Sequence, residues 1–155
     1  YNSMAQLGLP RESVLLEKFI TRRFPQDRQE ILEYLYQLNK TFQPEIVFTH
    51  TRSDIHQDHV QVTEEVLRAF RGTTVLGYDV TRSSYGFFPH FLVEVFEKDV
   101  ERKIAALQEY KTYNDKYYFS PELIRATLVR HGALAEVLYA EGFDILRIVG
   151  KFAKA

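Results

Sequence analysis

The decisive stretch of the sequence is Thr49-His50-Thr51-Arg52-Ser53-Asp54-Ile55-His56-Gln57-Asp58-His59. It holds three of the five histidines of the chain together with two aspartates. An apolar run, Ile46-Val47-Phe48, precedes it, and a helical pattern of apolar residues follows it. In an open α/β protein the chemistry lies at the carboxyl end of a strand, where such a stretch would stand. Because imidazole and carboxylate groups are metal ligands, the stretch predicts a metal site on an α/β fold.

The apolar spacing of the remaining chain predicts alternating strands and helices. Strands are predicted over Ser13–Phe19, Glu45–His50, Thr74–Val80, Phe91–Phe96 and Phe143–Val149. One helix is predicted to open at Pro25-Gln26-Asp27 and to end at Pro44, and two more are predicted over Asp58–Phe70 and Lys98–Tyr110. A further helix is predicted to start with Ser120 as its N-cap and Pro121 as its first residue, and Gly132 breaks or bends it. This alternation indicates a single α/β domain over residues 1–155, three-layered and Rossmann-like, with a mainly parallel sheet and helices on both faces.

Composition excludes several classes of protein. The chain has 155 residues, 45% of them hydrophobic and 26% charged, which is typical of a globular domain with a sizeable core. A formal net charge of -1 argues against a nucleic-acid partner. No apolar run is long enough to span a membrane, so no membrane partner is expected. Cysteine is absent, so a cytoplasmic location is expected and any metal must be held by His, Asp or Glu.

The spacing of His56 and His59 carries the chemical hypothesis. Three residues apart at a helix start, the two imidazoles lie close together, and catalytic zinc commonly uses histidine ligands. A histidine that does not bind the metal can stabilise the oxyanion of amide hydrolysis. Asp54 or Asp58 can orient an imidazole by accepting a hydrogen bond from the ring nitrogen that does not face the metal. The competing interpretation is a solvated turn with a capping aspartate, and His50 is interpreted as an ordinary polar residue that ends a strand.

Further residues are predicted to contact a substrate. They are Arg52, Asp54, Tyr85 and His90. Tyr85 belongs to a loop after a predicted strand, and His90 precedes another strand, so both fall near strand ends where binding loops lie. A plain surface loop is the alternative for Tyr85, and a structural position at the rim is the alternative for His90.

Three segments resemble the PIG-L/LmbE-like zinc N-deacetylases. Residues 44–59 are similar to the second motif of that family, with its His-x-Asp-His at residues 56–59. Residues 103–112 resemble the helix that carries a Lys-x-x-Ala-Leu pattern, and residues 139–147 resemble the closing Tyr-Ala-Glu-x-Phe segment and last strand. The family removes an acetyl group from N-acetylglucosamine-type sugars and related conjugates.

The resemblance implies roles for three residues. His59 corresponds to the zinc ligand, His56 to the histidine that assists the transition state, and Asp58 to a catalytic support between them. The cofactor implied is Zn²⁺, and the implied partner is a small N-acetylated sugar. The family's first motif, His-Pro-Asp-Asp, does not occur in this sequence. The resemblance therefore implies that residues 1–155 are the C-terminal two-thirds of such a domain, without its N-terminal strands, two zinc ligands and general base.

Two other functions remain open from the sequence. The absent motif favours a non-catalytic chain, either a fragment or a degenerate carbohydrate-binding module. A metal phosphohydrolase is the third interpretation, although such sites draw on several dispersed carboxylates and histidines. A homo-oligomer is compatible with each of these functions.

Overall fold

The computed structural model describes residues 1–113 and 115–150. Its α-helices are α1 (Asn2–Gln6), α2 (Arg28–Phe42), α3 (Gln57–Ala69), α4 (Glu97–Gln108) and α5 (Pro121–Leu134). Its strands are β1 (Ile46–His50), β2 (Thr74–Tyr78), β3 (Phe91–Glu94) and β4 (Ala140–Arg147). Short 3-10 helices cover Arg11–Ser13, Lys111–Tyr113 and Tyr117–Phe119. Along the described chain, no helix combines the length and apolar character needed to cross a membrane.

The four strands form one sheet in the order β1-β2-β4-β3. β1 and β2 are parallel, with His50 opposite Tyr78. β4 runs antiparallel to β2, with Leu76 opposite Ile145. The α/β class is thus confirmed, but the sheet is mixed rather than mainly parallel. Strand direction depends on where the preceding connection leaves the chain, and the local pattern of residues 140–147 does not encode it.

The chain divides into two compact units. One unit comprises residues 1–18 and 92–142, and the other comprises residues 19–91 and 143–150 of the described chain. The organisation of residues 1–155 as a single domain stays a prediction. The histidine and aspartate residues singled out by the sequence belong to the second unit.

The second unit packs α2 and α3 against one face of its strands. Its core is formed by Val66, Leu67, Ala69, Phe70 and Val75. The helix α2 begins at Arg28, after the predicted opening residues 25–27, and ends at Phe42. Its C-cap Gln43 has a left-handed backbone (φ 44°), and the Gln43 N–H bonds the Asn39 carbonyl. Because α3 is buried along this face, its N-terminal residues are held at the carboxyl end of β1.

The predicted strand over Ser13–Phe19 is wrong. The structure has a 3-10 turn over Arg11–Ser13 and irregular backbone beyond it. Leu15 is 52% exposed and Leu16 is 66% exposed. An apolar run becomes a strand only where a neighbouring backbone can pair with it, and this segment has no strand partner within the described chain.

The first unit packs α4 against α5 around Val100, Ile124, Leu128 and Tyr139. The prediction that Ser120 caps α5 is confirmed, because its hydroxyl accepts a hydrogen bond from the Leu123 N–H at 3.2 Å. On the surface of this unit, Arg125 donates to Glu97 and Glu101 and to the Tyr139 hydroxyl.

Gly132 does not end α5, which continues to Leu134. A Cβ at this position would lie 2.6 Å from the Val137 carbonyl oxygen and 2.7 Å from that of Leu138. We expect Gly132→Ala to destabilise the fold by about 1–3 kcal/mol, the usual cost of overpacking a close contact. Urea unfolding followed by circular dichroism measures this change.

Gly72→Ala is the matched control, since a Cβ at Gly72 meets nothing within 4 Å. It should change the free energy of unfolding by no more than about 0.5 kcal/mol. Equal midpoints for the two variants would show that the backbone around Gly132 relaxes without cost.

Candidate functional site

The candidate site lies at the carboxyl edge of β1 and β2. His50 ends β1, and Tyr78 stands opposite it at the end of β2. The chain then turns through residues 51–55 into α3, whose N-cap is His56. The fold therefore gathers His50, Asp54, His56 and His59 at the ends of two parallel strands, the position where α/β proteins bind their ligands.

Asp54 is the central hydrogen-bond acceptor of the site. It is 3% exposed. One carboxylate oxygen accepts the His56 backbone N–H at 2.8 Å. The other lies 2.9 Å from His59 Nδ1 and accepts the Ser83 hydroxyl at 2.9 Å. Burial alone would raise the pKa of this carboxyl, but the bonds from His56, His59 and Ser83 outweigh it and lower the pKa, so Asp54 is ionised.

The ionised carboxylate determines the tautomer of His59. A carboxylate can only accept, so His59 Nδ1 must carry the proton that it donates to Asp54. The lone pair of His59 then resides on Nε2, and that nitrogen is the one available to a metal. A carboxylate behind a ligating histidine is the usual arrangement at protein metal sites, where it fixes the ring and raises its basicity.

His56 is held in the opposite tautomer. Its Nδ1 accepts the backbone N–H of Asp58 at 3.2 Å, which caps α3. Because Nδ1 uses its lone pair in this bond, the proton of the neutral ring lies on Nε2. His56 therefore presents an N–H donor, which suits an oxygen that gains negative charge.

Asp58 makes contacts of a different kind. Its carboxylate is buried and accepts the backbone N–H groups of Arg22, at 2.6 Å, and of Phe24, at 3.3 Å. The Gln57 side chain also donates to the Arg22 carbonyl. These bonds hold the segment before α2 against the start of α3. The catalytic role of Asp58 stays a prediction, and the contacts shown are those of a positioning residue.

His50 stacks on His59, a contact that the sequence interpretation missed. The two rings lie 3.9 Å apart and 7° from parallel, and His56 stacks on the other side of His59 at 4.4 Å. The Tyr78 hydroxyl lies 3.3 Å from His50 Nε2. Burial, followed by the nearby His59, lowers the pKa of His50 to about 4, so the ring is neutral at physiological pH. In the sequence, the feature that could have indicated this contact was the position of His50 as a polar residue at the end of a strand.

The described residues do not form a complete zinc site. In parallel rings the nitrogen lone pairs of His50 and His59 do not converge on one point 2.0–2.1 Å from both, as a shared ion requires. Across residues 1–113 and 115–150, no group of three or more His, Asp or Glu side chains is arranged to hold a metal. His59 accordingly offers one ligand of a possible site.

Of the four residues predicted to contact a substrate, three have exposed side chains and one is buried. Arg52 and Tyr85 are exposed, as a substrate contact requires. Asp54 has no exposed side-chain surface, so the structure gives it a contact that orients His59, and its substrate contact stays a prediction. The side chain of His90 is 58% exposed, and its Nδ1 lies 3.3 Å from an Asp144 oxygen. Asp144 was not predicted, because only the strand pairing brings it to this edge.

Close packing at Gly77 fixes the loop that carries Asp54. A Cβ at Gly77 would lie 2.9 Å from Thr51 Cα, so only glycine lets this loop approach β2 so closely. The Thr51 N–H bonds the Tyr78 carbonyl at 2.8 Å, and the Thr51 hydroxyl donates to Asp144 at 3.2 Å. The loop after β2 joins from the other side, where the Ile55 N–H bonds the Ser83 carbonyl at 3.0 Å.

Comparison with known proteins found matches among solved structures. A conserved protein from Thermus thermophilus matches with a TM-score of 0.67 and 20% identity, over 99% of this chain and 74% of that chain. The 4-carboxy-2-hydroxymuconate hydratase of Pseudomonas putida matches with a TM-score of 0.62 and 17% identity, over 81% of this chain and 62% of that one. The N,N'-diacetylchitobiose deacetylase of Pyrococcus horikoshii matches with a TM-score of 0.69 and 18% identity, over 93% and 60%.

No protein-family model and no curated protein sequence matches the chain. The chain spans less than two thirds of the hydratase and of the deacetylase. A deacetylase and a hydratase thus share this fold, so the fold admits at least two chemistries. At identities of 17–20%, the comparisons show that this chain has the α/β fold of a deacetylase, a hydratase and a conserved thermophile protein, and they show the fold alone.

Proposed function

We propose that the protein is a zinc-dependent hydrolase that removes an acetyl group from an N-acetylglucosamine-type amino sugar or its conjugate. The observation that carries this proposal is the pair of complementary tautomers at the start of α3. His59 bonds Asp54 through Nδ1 and presents the lone pair of Nε2, whereas His56 accepts a bond at Nδ1 and presents an Nε2–H. A metal ligand beside a hydrogen-bond donor is the combination that amide hydrolysis uses. The deacetylase of the same fold supports the reaction class.

In this proposal each side chain acts on a defined atom. His56 donates from Nε2 to the acetyl oxygen, which gains negative charge when the amide is attacked, and one such donor is worth about 10²–10³ in kcat. His59 offers Nε2 to zinc, and Asp54 holds that ring. Catalytic zinc usually has three protein ligands. The proposal therefore also requires further metal ligands besides His59, and a group that accepts the proton of the attacking water. Arg52 and Tyr85 contact the sugar at the exposed rim.

The direct test is acetate release by the full-length protein from an N-acetylglucosamine oligosaccharide. We expect release that stops after dialysis against a chelator and returns with added zinc, because the metal supplies the hydrolytic chemistry. A phosphate ester assayed in parallel distinguishes a phosphohydrolase, and we expect no turnover of it. Activity that survives complete removal of metal would contradict the proposal.

A non-catalytic carbohydrate-binding role is the second candidate, and the incomplete set of metal ligands among the described residues favours it. It predicts that the full-length protein binds the N-acetylated oligosaccharide without releasing acetate. Calorimetric binding combined with acetate detection separates the two functions. A cytoplasmic location and a small N-acetylated sugar as partner belong to either proposal.

A further inference from the structure

A second pair of imidazole and carboxylate lies at the same edge of the sheet. His90 Nδ1 is 3.3 Å from an oxygen of Asp144, which lies in β4. The His90 backbone N–H bonds the Phe143 carbonyl at 2.8 Å, so the pair is set by the backbone as well as by the side chains. The rings of Phe88 and His90 form a T-shaped contact with 5.6 Å between ring centroids.

This pair is tied to the site built on Asp54. Asp144 stands opposite Gly77, one residue before the end of β2. Its second oxygen accepts the Thr51 hydroxyl at 3.2 Å, and Thr51 follows directly after His50, which stacks on His59. The pair therefore belongs to the edge of the sheet where β1 and β2 end.

The contacts leave one nitrogen of His90 open. A carboxylate accepts, so the bond to Asp144 places a proton on His90 Nδ1 and directs exchange with other groups to Nε2. The His90 side chain is more than half exposed, as a group that meets a substrate must be. By contrast, the carboxylates of Asp54 and Asp58 each use both oxygens within the fold.

We propose that His90 is the catalytic acid that protonates the departing nitrogen of the substrate, and that Asp144 is its positioning residue. This inference rests on the proposed deacetylase function. When the carbon–nitrogen bond of the amide breaks, its electron pair stays on nitrogen and takes the proton of the protonated His90 from Nε2. The proton released by the attacking water restores His90, so amide and water give acetate and amine. Asp144 accepts the Nδ1 proton and so orients the ring, as a carboxylate does beside a catalytic histidine.

The first arm of the test compares two leaving groups in the full-length protein with zinc. On an N-acetylglucosamine oligosaccharide, His90→Gln should lower kcat/KM by at least about 100-fold, the range of general acid catalysis. On p-nitrophenyl acetate, whose phenolate leaves without a proton, the same variant should retain activity within about threefold. An equal loss on both substrates would overturn the assignment of His90 as the acid.

The second arm needs no turnover. Diethyl pyrocarbonate acylates an unprotonated imidazole nitrogen, and mass spectrometry reports the rate at His90. Asp144→Asn should slow this rate by at least about threefold, because its amide NH₂ can donate to Nδ1, which moves the proton of the neutral ring to Nε2 and leaves that exposed nitrogen without a lone pair. The control is Asp115→Asn at an exposed aspartate that pairs with Lys116, and it should leave the rate unchanged.

An unchanged rate at His90 in Asp144→Asn overturns the dyad whether or not the protein is a deacetylase. A wild-type protein that releases no acetate overturns the proposed function, and in that case a slowed rate still supports the dyad as a proton-exchanging pair.

Discussion

His59→Ala is expected to lower the zinc content and the acetate release of the full-length protein together, with kcat/KM reduced by at least about 100-fold. The reason is the geometry at the start of α3, where His59 offers the Nε2 lone pair that Asp54 prepares. Metal analysis of the purified variant and a kinetic assay on the N-acetylated oligosaccharide measure the two quantities. Normal zinc stoichiometry in His59→Ala would show that His59 is not a zinc ligand.

His56→Gln is the matched comparison, because it alters the neighbouring imidazole three residues earlier. His56 uses Nδ1 to cap α3 and presents Nε2–H, so it has no lone pair for the metal in this tautomer. We expect the variant to keep its zinc and to lose about 10²–10³ in kcat, the cost of one oxyanion donor. Loss of zinc in His56→Gln would show that the two histidines have exchanged roles.

Asp54→Asn is expected to reverse the tautomer of His59. The amide keeps the shape of the side chain, and its oxygen can still accept from the His56 N–H. Its NH₂ group takes the place of the oxygen that lies beside both His59 Nδ1 and the Ser83 hydroxyl, and that hydroxyl can accept from it. The NH₂ group would then face His59 Nδ1, which must become an acceptor, so the proton moves to Nε2 and blocks the metal position. An aspartate-to-asparagine change behind a catalytic histidine acts in this way. Zinc affinity should fall by about 10–100-fold.

Nitrogen chemical shifts of the imidazole rings, measured by long-range proton–nitrogen NMR, report this tautomer directly. Wild-type His59 should show a protonated Nδ1, and Asp54→Asn should show a protonated Nε2. The exposed Asp115→Asn variant provides the control for removal of one carboxylate charge. Retention of the wild-type tautomer in Asp54→Asn would mean that the ring stack on His50, rather than Asp54, fixes His59.

The predicted helices agreed with the structure where local signals were strong. Ser120 and Pro121 start α5 as predicted, and Pro44 follows the end of α2. Capping and proline effects act within a single turn, so the neighbouring residues encode them. The strand prediction over Ser13–Phe19 was wrong because it depended on a distant contact: an apolar run becomes a strand only when another strand lies beside it. The antiparallel direction of β4 was likewise not readable from its own residues.

The site shows the same division between near and distant contacts. The sequence placed His56 and His59 together because they are three residues apart at a helix start. The stack of His50 on His59 also arises near in sequence, yet it depends on the turn between β1 and α3. Ser83 and Asp144 entered the site from 29 and 93 residues away from Asp54 and Thr51, respectively. Spacing alone carries no information on such pairs.

The sequence by itself determined that this chain has an α/β fold with imidazole and carboxylate groups at the end of β1, since period, capping and residue type are local properties. Only the tertiary structure decided what those groups do. The bond from His59 to Asp54 and the pair of His90 with Asp144 decide which nitrogen of each ring is open. A tautomer depends on the partner that folding brings to the ring, and that partner is chosen by packing across the whole unit.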